Sequence, residues 1–247
     1  MKESVQPPKI SQFLLRFFHR YSTAYLRRHF HSVRLLRGNS PPNESGTPLV
    51  IYLNHSSWWD PLVCLLLAGK FFGQRQSYGP MEERALGRYG FFKRLGFFPV
   101  ESGTPRGAAQ FLRTSEAILA RPETALFVTP QGRFADVRSP LLFSGGLEHL
   151  AERAPQILFV PLALEYTFWE ERKPEVLLAF GKPRRSDLLA RLAETQAQLS
   201  AAAQRRLPNE WQILLQGKSG VNWPYDLWRW SRARWRGERF EREHSRL

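Results

Sequence analysis

The sequence predicts an α/β fold: a mixed, largely parallel sheet flanked by helices, with an N-terminal amphipathic helix and a basic, aromatic C-terminal tail. Three observations predict it. Apolar runs of strand length, at Leu49–Asn54, Thr124–Thr129, Gln156–Tyr166 and Glu175–Gly181, alternate with stretches of helical periodicity. Turn and capping residues mark the changeovers, as at Thr104-Pro105 and Pro130-Gln131-Gly132. His55, Glu101 and Arg133 all fall at strand ends, where such sheets carry their sites. The expected organisation is an amphipathic, membrane-interacting helix and linker over 1–48, a central domain over 49–210, and a Trp/Arg-rich extension over 211–247.

Each element follows from its own residues. From Ile10 to about Leu36 the apolar positions Phe13, Leu14, Phe17, Phe18, Tyr21, Tyr25 and Leu26 recur at helical spacing, with Arg16, His19, Arg20, Arg27, Arg28 and His31 mostly on the other side. Such a helix either anchors on a membrane surface or packs its aromatic face on the domain. Gly38 to Pro48 is loop by composition. The buried run Leu49–Asn54 reads as a strand, and Pro61–Ala68 as a buried helix with Pro in its first turn. Gln76 to Pro80 is a short strand, Met81 to about Leu95 helical despite Gly87 and Gly90, and Gly96 to Glu101 extended. Thr104 suits the N-cap of a helix from Pro105 to Ala120. After the strand Thr124–Thr129, a short helical pattern occupies part of Leu141 to Ala154. The clearest strand, Gln156 to Tyr166, contains Pro161, which argues for an edge or a bulge. Ser186 to about Leu207 is a helix. In the tail, Trp211 is expected to pack on the core, and Pro224 onward to be helical.

Composition narrows the function classes. The net charge is +14, from 36 Lys+Arg against 22 Asp+Glu, so the natural partners are anionic: phosphate, nucleic acid or an acidic membrane face. Eight Trp among 13% aromatics fit a lipid interface and single-stranded nucleic acid equally. The single cysteine, Cys64, excludes an internal disulfide and a cysteine-based zinc site. The six histidines have no metal-ligand spacing, so no metal is expected. No apolar run reaches the roughly 18 to 20 residues that span a bilayer. Arg16, His19 and Arg20 interrupt the first apolar segment, so no signal peptide is expected. The expected location is cytoplasmic, peripheral on the inner face of the cell membrane.

The stretch with chemistry is His55-Ser56-Ser57-Trp58-Trp59-Asp60, on the corner between a strand and a helix. Histidine is the usual general base near neutral pH, and a carboxylate on its other ring nitrogen fixes the tautomer and steadies the imidazolium. The plainer alternative is a histidine that satisfies a turn and an aspartate that caps the following helix. Arg106, in the first turn of the helix at Pro105, is either part of an anion site or a solvated residue.

Four segments in order resemble the glycerolipid (lysophospholipid) acyltransferase family. Asn54-His55-Ser56-Ser57-Trp58-Trp59-Asp60 looks like its N-H-x4-D block. Gly96-Phe97-Phe98-Pro99-Val100-Glu101, with Arg106 downstream, is similar to its G-x-x-F-[IV]-x-R block. Phe127-Val128-Thr129-Pro130-Gln131-Gly132-Arg133 looks like its F-P-E-G-T-R block, and Phe159-Val160-Pro161-Leu162-Ala163 like its apolar-Pro-apolar block. The likeness covers about residues 49 to 183.

The resemblance implies acyl transfer from acyl-CoA or acyl carrier protein, as co-substrate, to a lipid hydroxyl. His55 is the general base and Asp60 its orienting partner; no cofactor or metal is implied. Arg106, Arg133, Gln131 and Gly132 are carried over as substrate-binding, the arginines on the phosphate of an acceptor such as lysophosphatidate. Two departures fall on that phosphate site: Gln131 replaces the usual Glu with Arg133 one position early, and Glu101-Ser102 stands where an Arg is usual. A non-phosphate lipid, a glycolipid or a carotenoid-glycoside hydroxyl is therefore the alternative acceptor. A non-catalytic, basic membrane-binding protein on the same scaffold is a further alternative. A serine hydrolase using Ser56 or Ser57 is disfavoured, because no G-x-S-x-G elbow is present. The expected partners are an anionic membrane surface, the lipid acceptor and the acyl donor, with no nucleic acid.

Overall fold

The computed structural model describes residues 6–42, 46–218 and 223–240. Residues 1–5, part of the loop between Gly38 and Pro48, and parts of the tail (219–222 and from 241) lie outside the described residues. The elements are α1 (Gln12–His29), β1 (Ser32–Leu36), β2 (Leu49–Leu53), α2 (Asp60–Phe71), β3 (Gln76–Glu82), α3 (Glu83–Arg88), a 3₁₀ turn (Gly90–Leu95), β4 (Phe97–Val100), α4 (Pro105–Leu119), β5 (Thr124–Val128), α5 (Gly146–Arg153), β6 (Leu158–Thr167), β7 (Glu175–Phe180), α6 (Leu188–Arg205), β8 (Trp211–Gln216) and α7 (Trp223–Trp235).

The eight strands form one sheet in the order β4-β3-β5-β2-β6-β7-β1-β8. All pairings are parallel except β6 with β7 and β1 with β8, so the sheet is mixed and mostly parallel. β2 lies in the middle and is buried along its whole length. Its residues alternate between two cores. Leu49, Ile51 and Leu53 pack with Leu26 of α1 and Val63, Leu66 and Leu67 of α2. Val50 and Tyr52 pack with Phe111 and Leu112 of α4, Leu147 and Leu150 of α5, and Leu192 of α6. A strand covered on both faces needs apolar residues at every position, which explains the unbroken run in the sequence.

The first helix joins the body by close approach. His19 Nδ1 lies 3.3 Å from the carbonyl of Leu65, and a side chain at Gly69 would meet the His19 ring at 2.2 Å. Phe18 stacks against Phe91 at 5.3 Å, while Phe13, Phe17 and Tyr21 stay exposed. One side of this helix thus packs on the domain, as one of the two expectations has it, and another is left outward.

Four expectations are corrected. The helix ends at His29, and Ser32–Leu36 is a strand, because Arg34 is buried against Glu175 at 3.2 Å and over the Trp169 ring at 5.1 Å. The helix expected from Met81 to Leu95 is instead the end of β3, the short α3 and a 3₁₀ turn. Pro161 sits in a central strand, between β2 and β7. It is tolerated one residue before the β6–β7 ladder begins at Leu162, and its carbonyl accepts from the Gly181 N–H at 2.8 Å. Trp211 is buried as expected, but it opens the edge strand β8. With β1 and β8 in the sheet, the fold extends past both expected boundaries, at 48/49 and 210/211.

Candidate active site

β2 delivers the His55–Asp60 corner. Beyond its last residue, Asn54 is buried and brackets β6: its Nδ2 donates to the Leu164 carbonyl at 2.8 Å, and the Leu164 N–H donates to its Oδ1 at 2.9 Å. The side-chain amide replaces a ladder pair where the backbone turns away. His55 follows, held on both sides by the loop after β5. Its N–H donates to Gln131 Oε1 at 2.7 Å, and its carbonyl accepts from the Ala135 N–H at 2.8 Å. The Phe134 ring covers the imidazole at 4.3 Å between centroids.

Asp60 opens α2 and is 1% exposed. Its Oδ2 lies 2.7 Å from His55 Nδ1 and accepts the backbone N–H groups of Ser56 at 3.0 Å and Ser57 at 3.1 Å. Its Oδ1 accepts the Tyr166 hydroxyl at 2.7 Å. Four donors thus hold the carboxylate at the start of the helix. The simple capping alternative does not describe this residue: the N-cap is Trp59, and the Asp60 contacts run back to the corner. With Nδ1–H donating to Asp60, Nε2 is the free base nitrogen. Among the described residues it has no hydrogen-bond partner, and the side chain is 19% exposed. Desolvation, the Asp60 charge and the bond to Asp60 push the Tyr166 phenol well up, so it stays a donor.

The two serines do not serve as nucleophiles in this arrangement. Ser57 Oγ accepts from the Trp59 N–H at 3.3 Å, and Ser56 Oγ is buried with no hydrogen-bond partner among the described residues. Neither bonds to His55 Nε2.

The third block encloses the histidine. Gly132 has φ +64°, a conformation that favours glycine, and its turn is braced by the Ser144 N–H on the Pro130 carbonyl at 2.8 Å. Arg133 is exposed, one residue before the ring that covers His55. Arg106 is also exposed and lies in the first turn of α4, capped by Thr104 as expected. With Glu83, Gln110, Arg113 and Thr114 it lines a cleft of about 260 Å³. β4, which leads to α4, is three strand positions from β2, or about 14 Å at ordinary strand spacing. The structure thus brings His55, Asp60, Gln131, Gly132 and Arg133 together, and no hydrogen bond or ion pair joins Arg106 to them.

Two contributors escaped the sequence reading. Phe134 directly follows the third block, and nothing local marks its ring as the cover of His55. Tyr166 lies 106 positions from Asp60, with no spacing signal to link them. Among the described residues there is no group of three or more His, Cys, Asp or Glu side chains placed to hold a metal.

No curated protein matches this chain. The sequence model described as Acyltransferase matches residues 31–165, from the start of β1 through most of β6. That match spans more than half of the chain and contains the His55–Asp60 corner, both Arg-bearing segments and the Pro161 strand. The chain therefore belongs to the acyltransferase family, that of the glycerolipid acyltransferases including the 1-acylglycerol-3-phosphate acyltransferases, and is an acyltransferase.

Proposed function

We propose that this acyltransferase moves a fatty acyl group from a thioester, acyl-CoA or acyl carrier protein, to the hydroxyl of a lysophospholipid such as lysophosphatidate. The observation that carries the reading is the His55–Asp60 pair, 2.7 Å apart, with Nε2 unbonded at a partly exposed corner. His55 Nε2 takes the proton of the acceptor hydroxyl as its oxygen attacks the thioester carbonyl. The tetrahedral intermediate collapses with loss of the thiolate, which takes the proton back from the imidazolium. Asp60 fixes the ring and stabilises the cation.

Arg133 supports a phosphate-bearing acceptor, since it is exposed beside the base. The separate position of Arg106 and the Glu101 in the second block favour the second reading, an uncharged lipid, glycolipid or carotenoid-glycoside hydroxyl. Product analysis by mass spectrometry with each acceptor, using wild type and Arg133→Ala, separates them. For a phosphate acceptor, KM rises about 10-fold or more in the variant with kcat little changed, as expected on losing a charged contact. Transfer only to an uncharged acceptor, unaffected by Arg133→Ala, overturns the phosphate reading.

The acceptor is met at a membrane. Among the described residues no helix is long and apolar enough to cross one. Exposed aromatics on α1 (Phe13, Phe17, Tyr21), Trp58 beside the corner, and α7 (Trp223, Trp228, Trp235) with Arg232 and Arg234 support peripheral binding to an anionic lipid surface, on the cytoplasmic face. Trp58 stacks on Trp59 at 4.6 Å, and Trp59 lies 5.3 Å from Tyr25 of α1. The outward aromatics therefore continue to within three residues of His55.

A further inference from the structure

We infer that Tyr166 is a positioning residue of the acyl transfer, holding the Asp60 carboxylate through Oδ1 so that Oδ2 is kept on the imidazole. This rests on the reading of His55 as the base.

The topology builds the contact. β6 pairs with β2 in parallel register up to Leu53–Leu162, then continues to Thr167. This overhang carries Tyr166 past the end of β2 to the start of α2, where its hydroxyl meets Asp60 Oδ1 at 2.7 Å. The ring is fixed by Phe30 at 5.7 Å, which packs edge-on against Trp59 at 4.8 Å.

The two oxygens of Asp60 are served unequally. Oδ2 takes the imidazole and two backbone N–H groups, whereas among the described residues the only hydrogen bond to Oδ1 comes from Tyr166. Asp60 is 1% exposed, so water has little room to replace a lost donor. Without the hydroxyl, Oδ1 is a buried charged acceptor left unpaired. The carboxylate then gains by rotating toward another donor, which moves Oδ2 off the imidazole. With Oδ2 displaced, the imidazolium loses its nearest negative charge.

The ionisable side chains facing Asp60 are His55 from the end of β2, Tyr166 from β6 and Cys64 from its own helix. Burial pushes both the Tyr166 phenol and the Cys64 thiol up. Neither ionises near neutral pH, so the imidazole is the group whose titration reports the change.

The test is Tyr166→Phe in the full chain, which keeps the ring and its packing. The His55 imidazole is followed by nitrogen NMR against pH, without substrate, and kcat and KM are measured with the acceptor that is turned over. The expected result is a lower imidazole midpoint than wild type, a kcat lower by about 3- to 30-fold, the range for a hydrogen bond to a charged group, and an unchanged KM. An unchanged midpoint and unchanged kcat would overturn the assignment. So would a Tyr166→Phe variant matching wild type while Tyr166→Leu loses only melting temperature, since packing would then be the whole role. The titration needs no turnover: if no acceptor is ever acylated, the functional reading fails while the imidazole midpoint still decides the role of Tyr166 toward the pair.

Discussion

Gln131 Oε1 accepts the backbone N–H of His55 at 2.7 Å, so the third block's altered residue grips the histidine's own peptide. The Ala135 N–H on the His55 carbonyl completes the grip from the same loop. A glutamate at this position offers an acceptor oxygen of the same reach, so the Gln is a replacement that preserves the bond. Gln131→Glu is expected to keep kcat within about 3-fold, because the acceptor remains. Gln131→Ala leaves the N–H unmet and is expected to lower kcat about 10-fold and stability by about 1 kcal/mol. Steady-state kinetics with thermal melts check both.

Asn54 is a stronger structural dependency. Replacing it with Leu removes both bonds to Leu164 and leaves a buried N–H and carbonyl without partners. Each orphaned group costs about 1–3 kcal/mol, so Asn54→Leu is expected to lose at least 2 kcal/mol in urea unfolding. A loss below about 0.5 kcal/mol would contradict the bracket.

Asp60→Asn keeps the size of the side chain but removes the charge that steadies the imidazolium. A fall in kcat of about 10²- to 10⁴-fold is expected, smaller than for loss of the base itself. Equal rates for the variant and wild type would sever Asp60 from the chemistry.

Glu165, half-buried on β6, has its carboxyl raised by burial, opposed by a hydrogen bond to Ser200. A raised carboxyl stabilises the fold only while protonated. Its contribution is present below the ordinary Glu range and is lost as pH climbs through the raised value. Glu165→Gln is therefore expected to match wild type in melting temperature near pH 4 and to exceed it near pH 7. Melts across that range would show a widening gap, and a gap that narrows would reverse the sign.

The surface of α7 is open to a direct test. Its Trp228 and Trp230 rings pair with Arg232 and Arg234 at 5.3 and 5.9 Å, yet both tryptophans remain exposed. Replacing Trp228, Trp230 and Trp235 with Ala is expected to weaken co-sedimentation with phosphatidylglycerol vesicles. Added salt should weaken binding of the wild type, by screening. Equal binding to neutral phosphatidylcholine would argue against charge, and binding unaffected by the substitutions would place the contact elsewhere.

The sequence shows most of the sheet and the reactive pair, because both are local. The β2 run, its corner and the α4 cap are written in consecutive residues. What it hides depends on distant partners. Ser32–Leu36 continues the apolar spacing of α1, and partners as distant as Trp169 and Glu175, the latter 141 positions beyond Arg34, meet that buried arginine in the strand. Pro161 signals an edge by its missing N–H, yet the break in the ladder at Leu162 accommodates it centrally. Gln131 was assigned to the substrate, and its side chain bonds to the His55 backbone instead of projecting free. Tyr166 enters only through the overhang of β6.

The most direct measurement of the central claim is acceptor-dependent release of free thiol from a long-chain acyl thioester by wild type and His55→Ala, both shown folded by circular dichroism. The donors are acyl-CoA and acyl carrier protein, and the acceptors lysophosphatidate, an uncharged lipid alcohol and none. The account predicts release that requires an acceptor and falls at least about 10³-fold in His55→Ala. Release of equal rate in the folded variant would contradict it, because the base would then lie elsewhere.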